Sequence, residues 1–270
     1  MINFTPSIFT GVINSYLPEP HASLLNGMIF GADLKTSKVF YEQLKVVGLL
    51  HLVVLSGMNI TLLSSIIVAV FSSLGKYLSS LLTILAIFIF IVFVGPEAPI
   101  IRAGFMGILT LVAFITGRKN FVFFSLFLSL VFIFLFFRHW LTSISLQLSY
   151  AATTGIILFG QTKEINADGW IKKIFHSIYK EFKLSLSAQI FTVPIIFIYF
   201  KQVSLISPLV NVLVAPLVAP IMVFGFLTAF LGKINFLLGL IPAYICYGLL
   251  SYIVFVVNTL AKIPFAFFNF

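Results

Sequence analysis

From Val46 to Ala261 the chain is a succession of apolar runs joined by short connections, and this pattern leaves few folds open to it. Candidate spans fall at about 46–73, 77–95, 98–117, 121–137, 143–160, 184–200, 205–231 and 235–261. They run from 17 to 28 residues, against the roughly 20 with which a helix crosses about 30 Å of hydrocarbon, and the first is longer than a straight span requires. A backbone in lipid must satisfy its own hydrogen bonds, so continuous runs of this length read as helices. The composition agrees: 61% of the 270 residues are hydrophobic and 9% charged, against about 45–50% and 25% in soluble domains, and the mean hydropathy is +1.18. We expect an all-α, polytopic helical membrane protein of about eight spans, forming one membrane domain over residues 1–270 with no separate soluble domain.

The net charge of +9 is read first through the positive-inside rule and anionic lipid, and only second as a sign of nucleic acid. Basic residues at Lys76, Arg118, Lys119, the 161–183 segment and Lys233 share one side. Those of the N-terminal segment, Arg138, Lys201 and Lys262 share the other. The count is nine against six, which places the 161–183 loop in the cytoplasm and both termini outside. The single cysteine, Cys246, excludes an internal disulfide and a multi-cysteine metal site. Residues 2–17 have no basic n-region or unbroken apolar core of a signal peptide. They read as an interfacial helix stopped by Pro18 and Pro20. The segment 22–32 is expected to be a re-entrant half-helix or an interfacial one, and 161–183, where Lys172, Lys173, Lys180 and Lys183 alternate with apolar residues, a helix on a lipid surface.

The stretch VVGLLHLVVLSGMNI, Val46 to Ile60, places His51, Ser56, Gly57 and Asn59 at the head of an apolar run. A polar side chain facing hydrocarbon costs roughly 2–3 kcal/mol, so these positions mark a protein interior or a water-filled path. Ser56 and Gly57 fall mid-run and imply a broken helix lining a cavity. His51 and Asn59 lie about 800° apart on a continuous helix, near one face. His51 reads equally as a core histidine bonded to a carbonyl or as a pore or gate residue. Arg102 either snorkels to the interface or is an internal charge, with Gly104 and Gly107 marking a closely packed face. Gln147 with Tyr150, and Gln189 with Thr192, are three apart and read by default as interhelical glue. The SPLVNVLVAPLVAP segment, with Pro208, Asn211, Pro216 and Pro220, is expected to be irregular or paired with a re-entrant piece.

No hydrolase, nucleotide-binding or zinc motif is present, no acidic pair lies inside a span, and His21, His51, His139 and His176 are scattered. Neither catalysis nor a metal or other cofactor is expected.

Four blocks carry a family resemblance. LLNGMIFGADLKTSKVFYEQLKVVGLLHLVVLSGMNITLL contains an LLxGxxxG run followed by a GLxHLxxxSG pattern matched at His51, Ser56 and Gly57. GPEAPIIRAGFMGIL, SISLQLSYAATTGIIL and SLISPLVNVLVAPLVAP follow in order, with Arg102, Gln147, Ser149, Pro208, Asn211 and Pro216 on the motif positions. Together they span about residues 20–245 and resemble the competence domain of the ComEC family, the inner-membrane channel that admits single-stranded DNA during natural transformation. Asn59 stands where the family pattern has a second histidine, which keeps hydrogen bonding but removes titration.

The resemblance implies a multi-pass channel core in the cytoplasmic membrane, without the family's soluble OB-like and metallo-β-lactamase-like domains. Single-stranded DNA and membrane lipid are the implied partners. A separate nuclease, a DNA receptor, a cytoplasmic translocation ATPase and a second copy of the chain are further ones the reading allows. In this reading His51, Ser56, Gly57 and Asn59 form the constriction and Arg102 the internal charge. Gln147, Ser149, Gln189 and Asn211 form a polar lining, and Lys35, Lys38, Lys45, Lys172 and Lys173 gather the strand at the mouths. A carrier of a small or lipid-linked anion with a midplane site, or an assembly subunit that transports nothing, are the alternatives.

Overall fold

The computed structural model describes residues 6–53, 57–119, 121–162, 170–263 and 267–269. The chain is all-α apart from one two-stranded ribbon. Its helices are α1 (Ser7–Tyr16), α2 (His21–Phe30), α3 (Lys38–Val46), α4 (Leu50–Val53), α5 (Gly57–Val70), α6 (Lys76–Val94), α7 (Ala98–Thr116), α8 (Val122–Phe136), α9 (Ile144–Phe159), α10 (Trp170–Phe200), α11 (Ser207–Ile234) and α12 (Phe236–Leu260). Strand β1 (Gln202–Ser204) pairs antiparallel with β2 (Phe267–Asn269). Among the described residues five helices, α6, α7, α10, α11 and α12, are long and apolar enough to cross a membrane. Helices α5, α8 and α9 occupy the other three expected spans, at 14, 15 and 16 residues, about 21–24 Å of rise.

The chain divides into two compact units, Met1–Pro6 with Leu55–Tyr150 and Ser7–Val54 with Ala151–Phe270. In the first, α7 packs against α5, α6 and α8. Gly104 on α7 allows this approach: a Cβ there would lie 2.7 Å from Ile91 Cδ1 of α6. Outward faces carry exposed apolar side chains such as Phe88, Phe127 and Phe134, the surface expected of a lipid-facing bundle.

The second unit is built around α2. All ten of its residues are buried, and α1, α4, α11 and α12 contact it. It is about 15 Å long, half the thickness of a bilayer's hydrocarbon core. Gly31, at φ 66°, ends it in the left-handed conformation, and its N–H bonds to the Gly27 carbonyl at 3.0 Å. Helix α1 is docked rather than simply lying at an interface. Its Ile13 is fully buried, and the Tyr16 hydroxyl donates to the Phe236 carbonyl at 2.7 Å at the α11–α12 turn.

Three sequence expectations are corrected. The run 46–73 is not one span. Helix α3 ends at Val46, Gly48 takes φ 75° against Ser207, and the next helix is only the four residues Leu50–Val53. A Cβ at Gly48 would lie 2.7 Å from Ser207 Oγ, so close packing on α11 sets that break. The break expected at Ser56 and Gly57 adjoins residues outside those described. The amphipathic segment after Gln161 is not a separate surface helix, because from Trp170 it continues into the following span as the 31-residue α10, about 46 Å long. The proline-rich segment is one continuous helix, α11. Pro208 sits in its first turn, where no N–H is missed, and Pro216 and Pro220, four apart, share one face.

Helix α2 depends on Gly27, where a Cβ would lie 2.6 Å from the Val53 carbonyl oxygen, a backbone atom that cannot rotate away. Gly27→Ala is expected to destabilise the protein by about 1–3 kcal/mol. Gly248→Ala, whose Cβ meets nothing within 4 Å, is expected to be neutral or stabilising by up to about 1 kcal/mol. Thermal unfolding of both variants in detergent checks this.

Candidate functional site around Arg102

Helix α7 begins after Gly95, with Pro99 in its first turn. Arg102 therefore enters one turn inside a 19-residue apolar helix. Its side chain is buried in the protein, at 7% exposure. Burying a guanidinium this deep requires a prepared surround, and the first unit contributes to it from α7, α9 and α5, with α8 behind. Along α7, Nη1 lies 3.4 Å from Met106 Sδ. From α9, the Tyr150 ring faces the guanidinium, with Cζ 5.6 Å from the ring centroid, inside cation–π range. From α5, Gly57 leaves the space the guanidinium needs, since a Cβ there would lie 3.1 Å from Nη2 and 3.0 Å from Ala103 Cβ. From α8, Ser129 holds the Tyr150 hydroxyl at 2.8 Å.

Behind the aromatic wall, Ala98, Ile133 and Leu146 form a buried cluster against which Phe132, Phe137, Trp140 and Tyr150 pack. Phe137 and Trp140 stack at 4.5 Å. The surround includes an aromatic face, a thioether and a bare Cα.

Of the residues marked in the sequence, this unit brings Gly57 and Arg102 together. Asn59, in the first turn of α5, is buried at 3% exposure. Gln147 and Ser149 are half-buried on α9, beside Tyr150 in the chain. Ser56 lies outside the described residues.

His51 belongs to the other unit. It sits exposed on α4 with Nδ1 2.9 Å from the Gly48 carbonyl, so it does not join Arg102 in one site within either unit. In the same unit Asn211 donates from Nδ2 to Ser185 Oγ at 2.8 Å, an α10–α11 bond, and Gln189 is half-buried on α10. Lys35 and Lys38 are exposed, whereas Lys45 is partly covered and 3.7 Å from Glu42. Lys38 lines a shallow open groove of about 430 Å³ with Val39, Glu42, Gln43, Val46 and Ala261. Lys172 and Lys173 are exposed in the first turn of α10.

Sequence reading passed over Ser129 because it sits in the phenylalanine-rich run 121–137. The signal was present: Ser125 and Ser129 are four apart, and both are buried with Leu126 and Ile133 on the inward face of α8. It also passed over the polar residues of α2. His21 Nε2 lies 3.1 Å from Ser251 Oγ, the Ser23 hydroxyl donates to the Lys35 carbonyl at 3.1 Å, and Asn26 donates to Asn14 Oδ1 at 2.8 Å. Among the described residues no three His, Cys, Asp or Glu side chains gather as a metal site.

Gly57→Val is expected to force Arg102 and Ala103 away from α5 and to cost about 1–3 kcal/mol, read as a lower midpoint of thermal unfolding in detergent.

A family model described as Competence protein matches residues 28–270. Among curated proteins, ComE operon protein 3 of Bacillus subtilis (strain 168) is similar, with 23% identity over 205 residues, covering 75% of this chain and 25% of that protein. The chain thus spans about a quarter of that relative's length. No solved structure matches it significantly.

Proposed function

Belonging as it does to the competence protein family, the chain is a competence-related membrane protein, and we propose that it forms the path by which single-stranded DNA crosses the cytoplasmic membrane. The observation that carries this reading is Arg102: a cation buried inside an apolar helix, seated against an aromatic ring. A strand of DNA presents phosphates and base faces, and a cation beside an aromatic surface suits both. One internal charge attracts the strand without trapping it, as conduction requires. Exposed lysines at Lys35, Lys38, Lys172 and Lys173 raise the local concentration of a polyanion at the protein surface. Within the unit that holds Arg102, Gly57 and Asn59 contribute the constriction, with Gln147 and Ser149 as polar lining along the path.

The work of translocation comes from another component, a cytoplasmic ATPase, and degradation of the second strand from a separate nuclease. Residues 1–270 act as one membrane domain, multi-pass in the cytoplasmic membrane, and the chemistry is transport, with no bond made or broken.

The test is protected uptake of a labelled single-stranded oligonucleotide by liposomes containing the purified chain. Arg102→Ala is expected to lower uptake about tenfold or more, the weight of one charged contact, and wild-type uptake is expected to fall as salt rises. Folded, inserted wild-type protein that passes a small anion but no oligonucleotide would sink the reading in favour of an anion carrier.

A further inference from the structure

Arg102 has a donor–acceptor chain behind it that reaches three helices, and its direction can be read from the geometry. Ser129 Oγ lies 2.6 Å from the Leu126 carbonyl. A serine has one hydroxyl proton, and a carbonyl can only accept, so that proton is spent on Leu126. The Ser129 oxygen therefore faces Tyr150 with lone pairs only. At 2.8 Å the Tyr150 hydroxyl must donate to it. The ring is thus held at both ends, by its backbone on α9 and by its hydroxyl on α8. The face it turns to Arg102 is fixed by that bond and not by packing alone. The ring meets the guanidinium at 5.6 Å from its centroid, one of the contacts, with Met106 Sδ at 3.4 Å, that set its direction.

We infer that Tyr150 and Ser129 are positioning residues for Arg102: the Leu126–Ser129–Tyr150 chain aims the guanidinium, and passage of the strand depends on a hydroxyl that does not touch it. This deepens the DNA-path reading and rests on it for the choice of phosphate as the anion. Tyr150→Phe retains the ring, most of its volume and its packing against the Ala98, Ile133 and Leu146 cluster, and removes only the tether. Ser129→Ala removes the same tether from the other end. Each variant, and the two together, produce the same loss, because they break one chain.

The experiment pairs two readouts on wild type, Tyr150→Phe, Ser129→Ala and the double variant in lipid nanodiscs and liposomes. The first is the nitrogen-15 spectrum of the arginine side chains. Arg102 is one of three arginines with Arg118 and Arg138, and its signal is assigned by its loss in Arg102→Lys. The second is protected oligonucleotide uptake. We expect the Arg102 guanidinium signal to shift and broaden in all three variants, with uptake falling about fivefold, the weight of one ordinary hydrogen bond, and no further in the double variant. An unchanged Arg102 signal overturns the inference whatever uptake does, as do losses that multiply in the double variant. A shifted signal, together with wild-type protein that admits no oligonucleotide, upholds the positioning chain and overturns the DNA-path reading alone.

Discussion

Hydrocarbon offers no partner to a polar group, and both units are arranged by that fact. In the unit built around α2, the solution is to spend each polar side chain locally. His21, Ser23 and Asn26 bond to Ser251, the Lys35 carbonyl and Asn14, and Gly31 closes the helix end. In the unit centred on α7 the polar group is a full charge, and the surround is an aromatic face and a sulfur. The first arrangement uses neutral hydrogen bonds to hold the fold. The second seats a cation inside it.

Both arrangements depend on residues that are missing a side chain. Gly27 admits the Val53 carbonyl, Gly48 admits Ser207, Gly57 admits the Arg102 guanidinium, and Gly104 admits Ile91. In lipid, where burying apolar surface gives helices no reason to prefer one another, close backbone approach and the dispersion it brings are the main attraction available. The glycines therefore locate the contacts that hold each unit.

The long helices were legible because α6, α7, α11 and α12 are uniformly apolar over a bilayer thickness, and a run of that kind has one solution in lipid. Arg102 was legible as well, since a cation one turn into such a run is conspicuous. Uniform apolarity also explains what was missed. The helical period that separates a buried face from an exposed one in a soluble helix has no contrast here, so nothing in HASLLNGMIF betrays burial on every side, and Ser129 vanishes among phenylalanines. The boundary near Trp170 failed for a different reason. Its lysines and apolar residues alternate as on a surface helix, while the backbone simply continues into the apolar half of α10. The prolines of α11 misled because a rule from soluble helices, in which interior proline breaks the ladder, is relaxed among packed helices in lipid.

The burial of α2 on all sides also constrains how the chain is made. Its contacts with α11 and α12 are with helices that start at Ser207 and Phe236, while the whole α7-centred unit is synthesised in between. At about 5–20 residues per second, α2 leaves the ribosome on the order of ten seconds before the walls of its chamber exist. A half-length helix carrying His21 and Asn26 cannot span the bilayer in that interval. It waits at the membrane surface or beside the insertion machinery, and is swallowed when the last hairpin closes over it. Assembly of this protein therefore runs from the middle outward, with α2, one of its first-made helices, among the last to reach its place.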